Sequence, residues 1–139
     1  MSSFTTNLND NSEGLLRITN TIADIRLTID GFYKNLDRKI LAPPKDIEKC
    51  RSQLQDCLDN LADFTMPIFD LRDQMELHYY TVYPNKNLAS TLWLEHYKSL
   101  HKPFDVQKNF TFFLLEKLSK YEKNYNKNGE LKLLKTVLC

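Results

Sequence analysis

The stretch LLRITNTIADIRLTIDGFYKNLDRKI, residues 15–40, decides the fold class. Its large apolar residues are Leu15, Ile18, Ile22, Ile25, Ile29, Phe32, Leu36 and Ile40, separated by steps of three, four, three, four, three, four and four. An α-helix turns once every 3.6 residues, so this spacing lines one helical face. A half-buried strand would need strict alternation instead. The spacing predicts a long first helix, from a cap at Ser12 to about Leu41. At 1.5 Å per residue, Leu15 to Ile40 spans roughly 39 Å. Gly31 lies inside it. A mid-helix glycine costs about 1 kcal/mol relative to alanine, but the apolar spacing runs through it, so the helix is expected to continue.

Five prolines punctuate the rest of the chain. Pro43-Pro44 closes the first helix with a stiff corner, and Asp46 is read as the cap of a second. Its seam is Ile47, Cys50, Leu54, Cys57, Leu61 and Phe64, again in heptad steps. Two such helices joined by a short corner form an antiparallel hairpin. Thr65 is read as the cap of a third helix, from Met66 to about Leu77, with Pro67 in its first turn and Ile68, Leu71 and Met75 on one face. HYYTVYPNKN (residues 78–87) reads as an extended connector. Asn87 then caps a fourth helix, Leu88 to Leu100, and Pro103 starts a fifth, Phe104 to Asn124. Asn128-Gly129 reads as a turn before a short final helix, with a strand as the alternative for that tail. The fold class is therefore all-α: a helical hairpin or bundle of about five helices with coiled-coil-like heptad seams and a long first helix. The expected organisation is a disordered polar arm (1–12), the hairpin (13–65) and a helical C-terminal part of the same domain (66–139).

Composition excludes several functions. The chain has 139 residues, one domain's worth, with 42% hydrophobic and 27% charged residues. A net charge of +1 is far from that of a dedicated nucleic-acid binder. Residues 1–70 carry 8 basic against 11 acidic side chains, and residues 71–139 carry 11 against 7. Such a dipolar balance suits head-to-tail contacts with other proteins. Cys50, Cys57 and Cys139 match no zinc spacing and are too few for a disulfide scaffold, which points to a reducing intracellular compartment. No signal peptide is expected in the polar first fifteen residues, no run is long and apolar enough for a membrane span, and Cys139 does not head a prenylation box.

No motif carries a reaction. Cys50 and Cys57 are seven apart and fit the seam as small apolar side chains. His78, His96 and His101 lack the i, i+4 ligand spacing of a zinc helix. Gly14, Gly31 and Gly129 are isolated, so no phosphate loop exists, and Asp59 and Asp63 read as a solvated pair. Catalytic, cofactor-binding and metal sites are all read as none. Lys117, Lys120, Lys123 and Lys127 form a basic stripe that reads as a solvated face with Tyr121 and Tyr125 turned inward; the competing reading is a phosphate-contacting ridge.

Leu16, Leu27, Tyr33 and Leu58 fall off the main seams. Helices apolar on more than one stripe want more than one neighbour. The chain therefore reads as a subunit that meets other proteins through helical packing, without a small-molecule substrate, membrane insertion or direct nucleic-acid contact. The expected partner contacts are Leu15, Ile18, Ile22, Ile25, Ile29, Tyr79, Tyr80, Tyr83 and Trp93, since aromatic residues dominate interface energetics; for the four aromatic residues a place in the core is an equal alternative.

LQDCLDNLADFTMPIFDLRDQ, then YT, then VQKNFTFFLLEKLSKYEKN resembles the tenth subunit of the Mediator middle module. The shared features are an apolar-Pro-apolar step, here Met66-Pro67-Ile68, a Tyr-Thr, here Tyr80-Thr81, and a closing Phe…Leu-Leu…Glu…Leu pattern. Phe110 or Phe112 with Leu114, Leu115, Glu116 and Leu118 carry the last of these. The family's Gly-basic-Asn-Pro turn is absent, the region reading DQMELHYYTVYP. The resemblance implies a nuclear, non-enzymatic helical subunit that links regulators to RNA polymerase II. A coiled-coil subunit of a kinetochore or vesicle-tethering complex, and a nucleic-acid-binding helical module, are the alternatives.

Overall fold

The computed structural model describes the backbone of residues 3–138 and the side chains of residues 7–124. It contains α1 (Ser3–Asp37), α2 (Pro44–Ala62), α3 (Thr65–Val82) and α4 (Lys86–Leu138). The chain is all-α, with four helices in place of about five and no strand among the described residues.

The helices form three rods. α1 runs up, α2 and α3 run down in succession beside it, and α4 runs up again. The direction follows from the contacts. Phe32 of α1 borders the same hollow as Cys50 near the start of α2, whereas Gly14 meets Phe64, just beyond α2. Phe104 of α4 packs on Phe64, ring centres 5.1 Å apart, and Tyr121 packs on Phe32 at 5.5 Å. α1 touches α2, α3 and α4, and α4 touches α1, α2 and α3, so the expected hairpin and C-terminal part share one bundle.

Each helix end has a local cause. α1 stops at Asp37, short of the expected Leu41. The amide of Lys39 donates to the Leu36 carbonyl and that of Ile40 to the Asn35 carbonyl, the paired bonds of a Schellman motif. Lys39 holds the left-handed position, at φ 62°. α2 opens on Pro44, whose missing amide would be unpaired there anyway, so Asp46 sits inside the first turn rather than capping it. The break between α2 and α3 falls at Asp63-Phe64 because Pro67 comes next: it offers no amide to the Asp63 carbonyl, and its ring crowds that group. α3 begins at Thr65 with no side-chain cap.

Four further expectations are corrected. α1 begins at Ser3, not after Ser12, so most of the polar segment 1–12 is helical; Asn11 is buried there, its Nδ2 donating to the Asn7 carbonyl. The supposed connector 78–87 is helical as far as Val82. Asn85, not Asn87, caps α4, its Oδ1 accepting from the Leu88 amide at 3.1 Å. α4 then passes through Pro103 and through Asn128-Gly129 without a break, which merges the fourth, fifth and tail helices. Packing overrides the proline: Phe104 and Trp93, on either side of it, are both buried against neighbouring helices.

The core is one seam shared by the three rods. Ile18, Ile22, Ile25, Ile29 and Phe32 of α1 meet Ile47, Cys50, Leu54, Cys57 and Leu61 of α2 and Leu114, Leu118 and Tyr121 of α4. The upper end, where the chain turns from α1 into α2, is fastened by polar bonds. The Ala42 amide donates to the Tyr121 hydroxyl at 2.9 Å, the Tyr33 hydroxyl donates to the Lys117 carbonyl at 2.6 Å, and Arg51 pairs with both Glu48 and Glu122.

Candidate interaction surface

The isoleucine face of α1 is covered by the chain itself. Ile18, Ile22, Ile25 and Ile29 are buried by α2 and α4, and Leu15 packs half-buried against the same core. Trp93, 5% exposed, is buried between α3 and α4, with the Arg72 guanidinium 5.4 Å from its ring centre. Tyr79 and Tyr83 are half-buried and stacked on each other, and the Tyr79 hydroxyl lies 3.0 Å from His96 Nδ1. Of the nine expected contacts, Tyr80 alone is exposed. The isoleucines and Trp93 therefore have their cover within the chain, whose own helices supply the partner that the seam demands.

Exposed apolar surface does exist: α1 leaves Leu16 and Leu27 in solvent, off the isoleucine face, and a longer row lies on α3. Met66 (68% exposed), Phe69 (57%), Leu77 (71%) and Tyr80 (38%) follow one another along α3. With Asp73 they are separated by three, four, four and three residues, so they share the solvent side, opposite the buried Ile68, Leu71 and Met75. α4 adds Val106 and Phe113, and Phe113 stacks on Phe110 with ring centres 6.1 Å apart. Singly exposed apolar residues are ordinary, but a helix apolar on two opposite faces is not. The cue is present in the sequence, since Met66, Phe69, Leu77 and Tyr80 have helical spacing. Reading residues 78–87 as extended obscures it by cutting the row at Leu77.

The same rod borders two hollows. One, of about 300 Å³, lies between the α2–α3 joint and α4 and is lined by Leu58, Phe69, Tyr97, His101, Phe104 and Lys108 among others. His101 there is tied to Asp105, Nδ1 to Oδ2 at 3.0 Å. The other, of about 380 Å³, lies between α3 and the start of α1. Neither holds a nucleophile with an adjacent base. Among the described residues no group of three or more His, Cys, Asp or Glu side chains could hold a metal ion. Cys50 and Cys57 are free thiols buried on the core face of α2, and burial raises the pKa of both, which suppresses the reactive thiolate. Cys139 lies outside the described residues.

The basic stripe is partly consumed within the fold. Lys117 Nζ lies 3.0 Å from Asp30 Oδ1 and over the Tyr33 ring, and Lys120 pairs with Glu116 at 3.5 Å. Tyr121 is fully buried, while the side chains of Tyr125 and Lys127 lie outside the described residues. Among the described residues no helix is long and apolar enough to cross a membrane. No family model, curated protein or solved structure matches the chain.

Proposed function

We propose that the chain is a non-enzymatic helical subunit of a multiprotein assembly, docked through the outer face of α3. The observation that carries this reading is the row Met66, Phe69, Leu77 and Tyr80, left in solvent although α3 has already buried Ile68, Leu71 and Met75. A partner helix laid along that row would cover it through anchors at three-four spacing. Within this class, the sequence resemblance supports a Mediator-like middle-module subunit acting in the nucleus, linking regulators to RNA polymerase II. The Met66-Pro67-Ile68 step on which the resemblance rests opens α3 itself. Partners of that kind meet through coiled-coil-like packing rather than through a substrate or nucleic acid.

A native pull-down with mass spectrometry tests both levels, using the intact chain and a Phe69→Asp/Leu77→Asp variant. Recovery of Mediator subunits with the intact chain, lost with the variant, is expected. Recovery of another assembly with the same loss would keep the class and remove the Mediator reading. Partners retained undiminished by the variant would remove α3 as the docking face.

A further inference from the structure

Residues 1–16 and 52–71 contain no lysine or arginine, yet they hold Asp10, Glu13, Asp56, Asp59, Asp63 and Asp70. The fold brings part of this set together. Asp10 of α1, Asp63 of the α2–α3 joint and Asp70 of α3 line one cleft of about 380 Å³ walled by Phe64 and Pro67. Among the described residues none of the three carboxylates has an ion-pair partner. Arg17, beside an adjoining hollow that Asp63 also borders, is in no ion pair among the described residues. Arg72 is engaged with Asp73 and Trp93.

A second observation points to a donor-bearing ligand. Asn11 lines the same cleft and is only 4% exposed. Its Nδ2 is spent on the Asn7 carbonyl, and its Oδ1 has no hydrogen-bond partner. Gln74 Oε1, also in the cleft lining, is a second buried acceptor without one. A buried acceptor left unpaired costs about 1–3 kcal/mol, so a ligand that supplies N–H groups is favoured there. The lining therefore combines three exposed carboxylates with two buried amide oxygens that lack partners. Among the described residues no trio of acidic groups could hold a metal ion.

We infer that this cleft receives lysine or arginine side chains from the helix that docks on α3, so the partner segment is amphipathic with one basic flank. The inference rests on α3 being the docking face. Asp70 links the two features: it lines the cleft and is exposed on α3 beside Met66 and Phe69. The apolar row supplies contact area, and the carboxylates select the flank and its register.

The probe is a labelled synthetic helical peptide with leucines at three-four spacing and a lysine flank, compared with its glutamate counterpart by fluorescence anisotropy. The lysine peptide is expected to bind, more weakly as salt rises. Its affinity should fall about tenfold in an Asp10→Asn/Asp63→Asn/Asp70→Asn variant, three modest charge pairs being removed. These side chains are solvent-facing, and circular dichroism checks that the fold is kept. Equal binding of the two peptides, or an unchanged affinity in the triple variant, overturns the inference. So does binding of calcium alone with the same dependence on the three aspartates while the lysine peptide stays unbound. If the peptide result fails but the Phe69→Asp/Leu77→Asp variant still loses its partners in the pull-down, the docking face stands and only the basic flank falls.

Discussion

α2 and α3 are consecutive parts of one rod, yet they solve opposite problems. α2 carries one main stripe, Ile47, Cys50, Leu54, Cys57 and Leu61, all of it buried, with Leu58 half-buried off it, and exposes no large hydrophobic residue. α3 buries Ile68, Leu71 and Met75 and leaves Met66, Phe69, Leu77, Tyr80 and Val82 in solvent. The first is a helix finished by its own chain. The second has one face for the bundle and one to spare. Two leucines break or uphold this contrast most sharply. Leu54→Ala empties a fully buried position and should cost about 2–5 kcal/mol. Leu77→Ala should stay within about 0.5 kcal/mol. Urea unfolding of the two variants decides it; equal losses would mean that α3 is covered after all.

The joint between the two helices gives the next largest effect. A Cβ added at Gly14 would lie 2.2 Å from the ring tip of Phe64, the residue on which α3 starts. Gly14→Ala should displace that ring and cost about 1–3 kcal/mol. Gly31, on the same helix, meets nothing within 4 Å, so Gly31→Ala should gain about 0.5–1 kcal/mol. The opposite signs test whether α1 is pinned at the α2–α3 joint or merely laid beside it. A gain at both positions would show that Phe64 is free to move.

Much of this architecture is legible in the spacing of apolar residues. The steps of three and four in residues 15–40 and 47–64 mark the helices, and most of their seam residues are the ones the core buries; Leu15, Leu36 and Phe64 are half-buried, and Ile40, beyond the end of α1, is exposed. Continuity through Gly31 is also readable, because the stripe does not change phase there. Pro67 and Pro103 are not distinguishable by pattern. Each removes a backbone bond, but only at Pro67 does the helix break; α4 runs on through Pro103, with Phe104 and Trp93 buried on either side of it. Apolar spacing does not separate the covered isoleucines from the exposed row on α3 for a related reason. A sequence shows that the isoleucines need cover, but not whether the cover comes from the same chain.

A smaller effect belongs to the other end of α2, where the chain turns out of α1. Lys39 occupies the left-handed position of the Schellman motif at φ 62°, a conformation that crowds the Cβ of any residue but glycine. Lys39→Gly should therefore stabilise the fold by about 1 kcal/mol. The gain belongs to the α1–α2 corner, so it should leave the binding properties of α3 untouched. A loss of stability in urea unfolding would show that the lysine side chain contributes there in a way its backbone angle does not reveal.

The least conspicuous consequence of a finished α2 emerges at alkaline pH. Burial, reinforced by Asp46 at Cys50 and by Asp56 at Cys57, raises both thiols above their ordinary value of 9.0, with Lys49 opposing at Cys50. In the unfolded chain the thiols ionise near that value, while in the fold they stay neutral to higher pH. The unfolded state then releases protons first, so stability is full below pH 9 and falls as pH rises through the folded values. Thermal unfolding followed upward from about pH 8 should show this decline. Tyr33, also raised by burial and next by Tyr121, adds a second decline starting from its ordinary value of 10.0. A Cys50→Val/Cys57→Val variant should therefore keep its stability past pH 9 and begin to lose it only where the tyrosine takes over. If intact chain and variant decline together from pH 9, the thiols are not sealed in the core, and α2 is as open to solvent as α3.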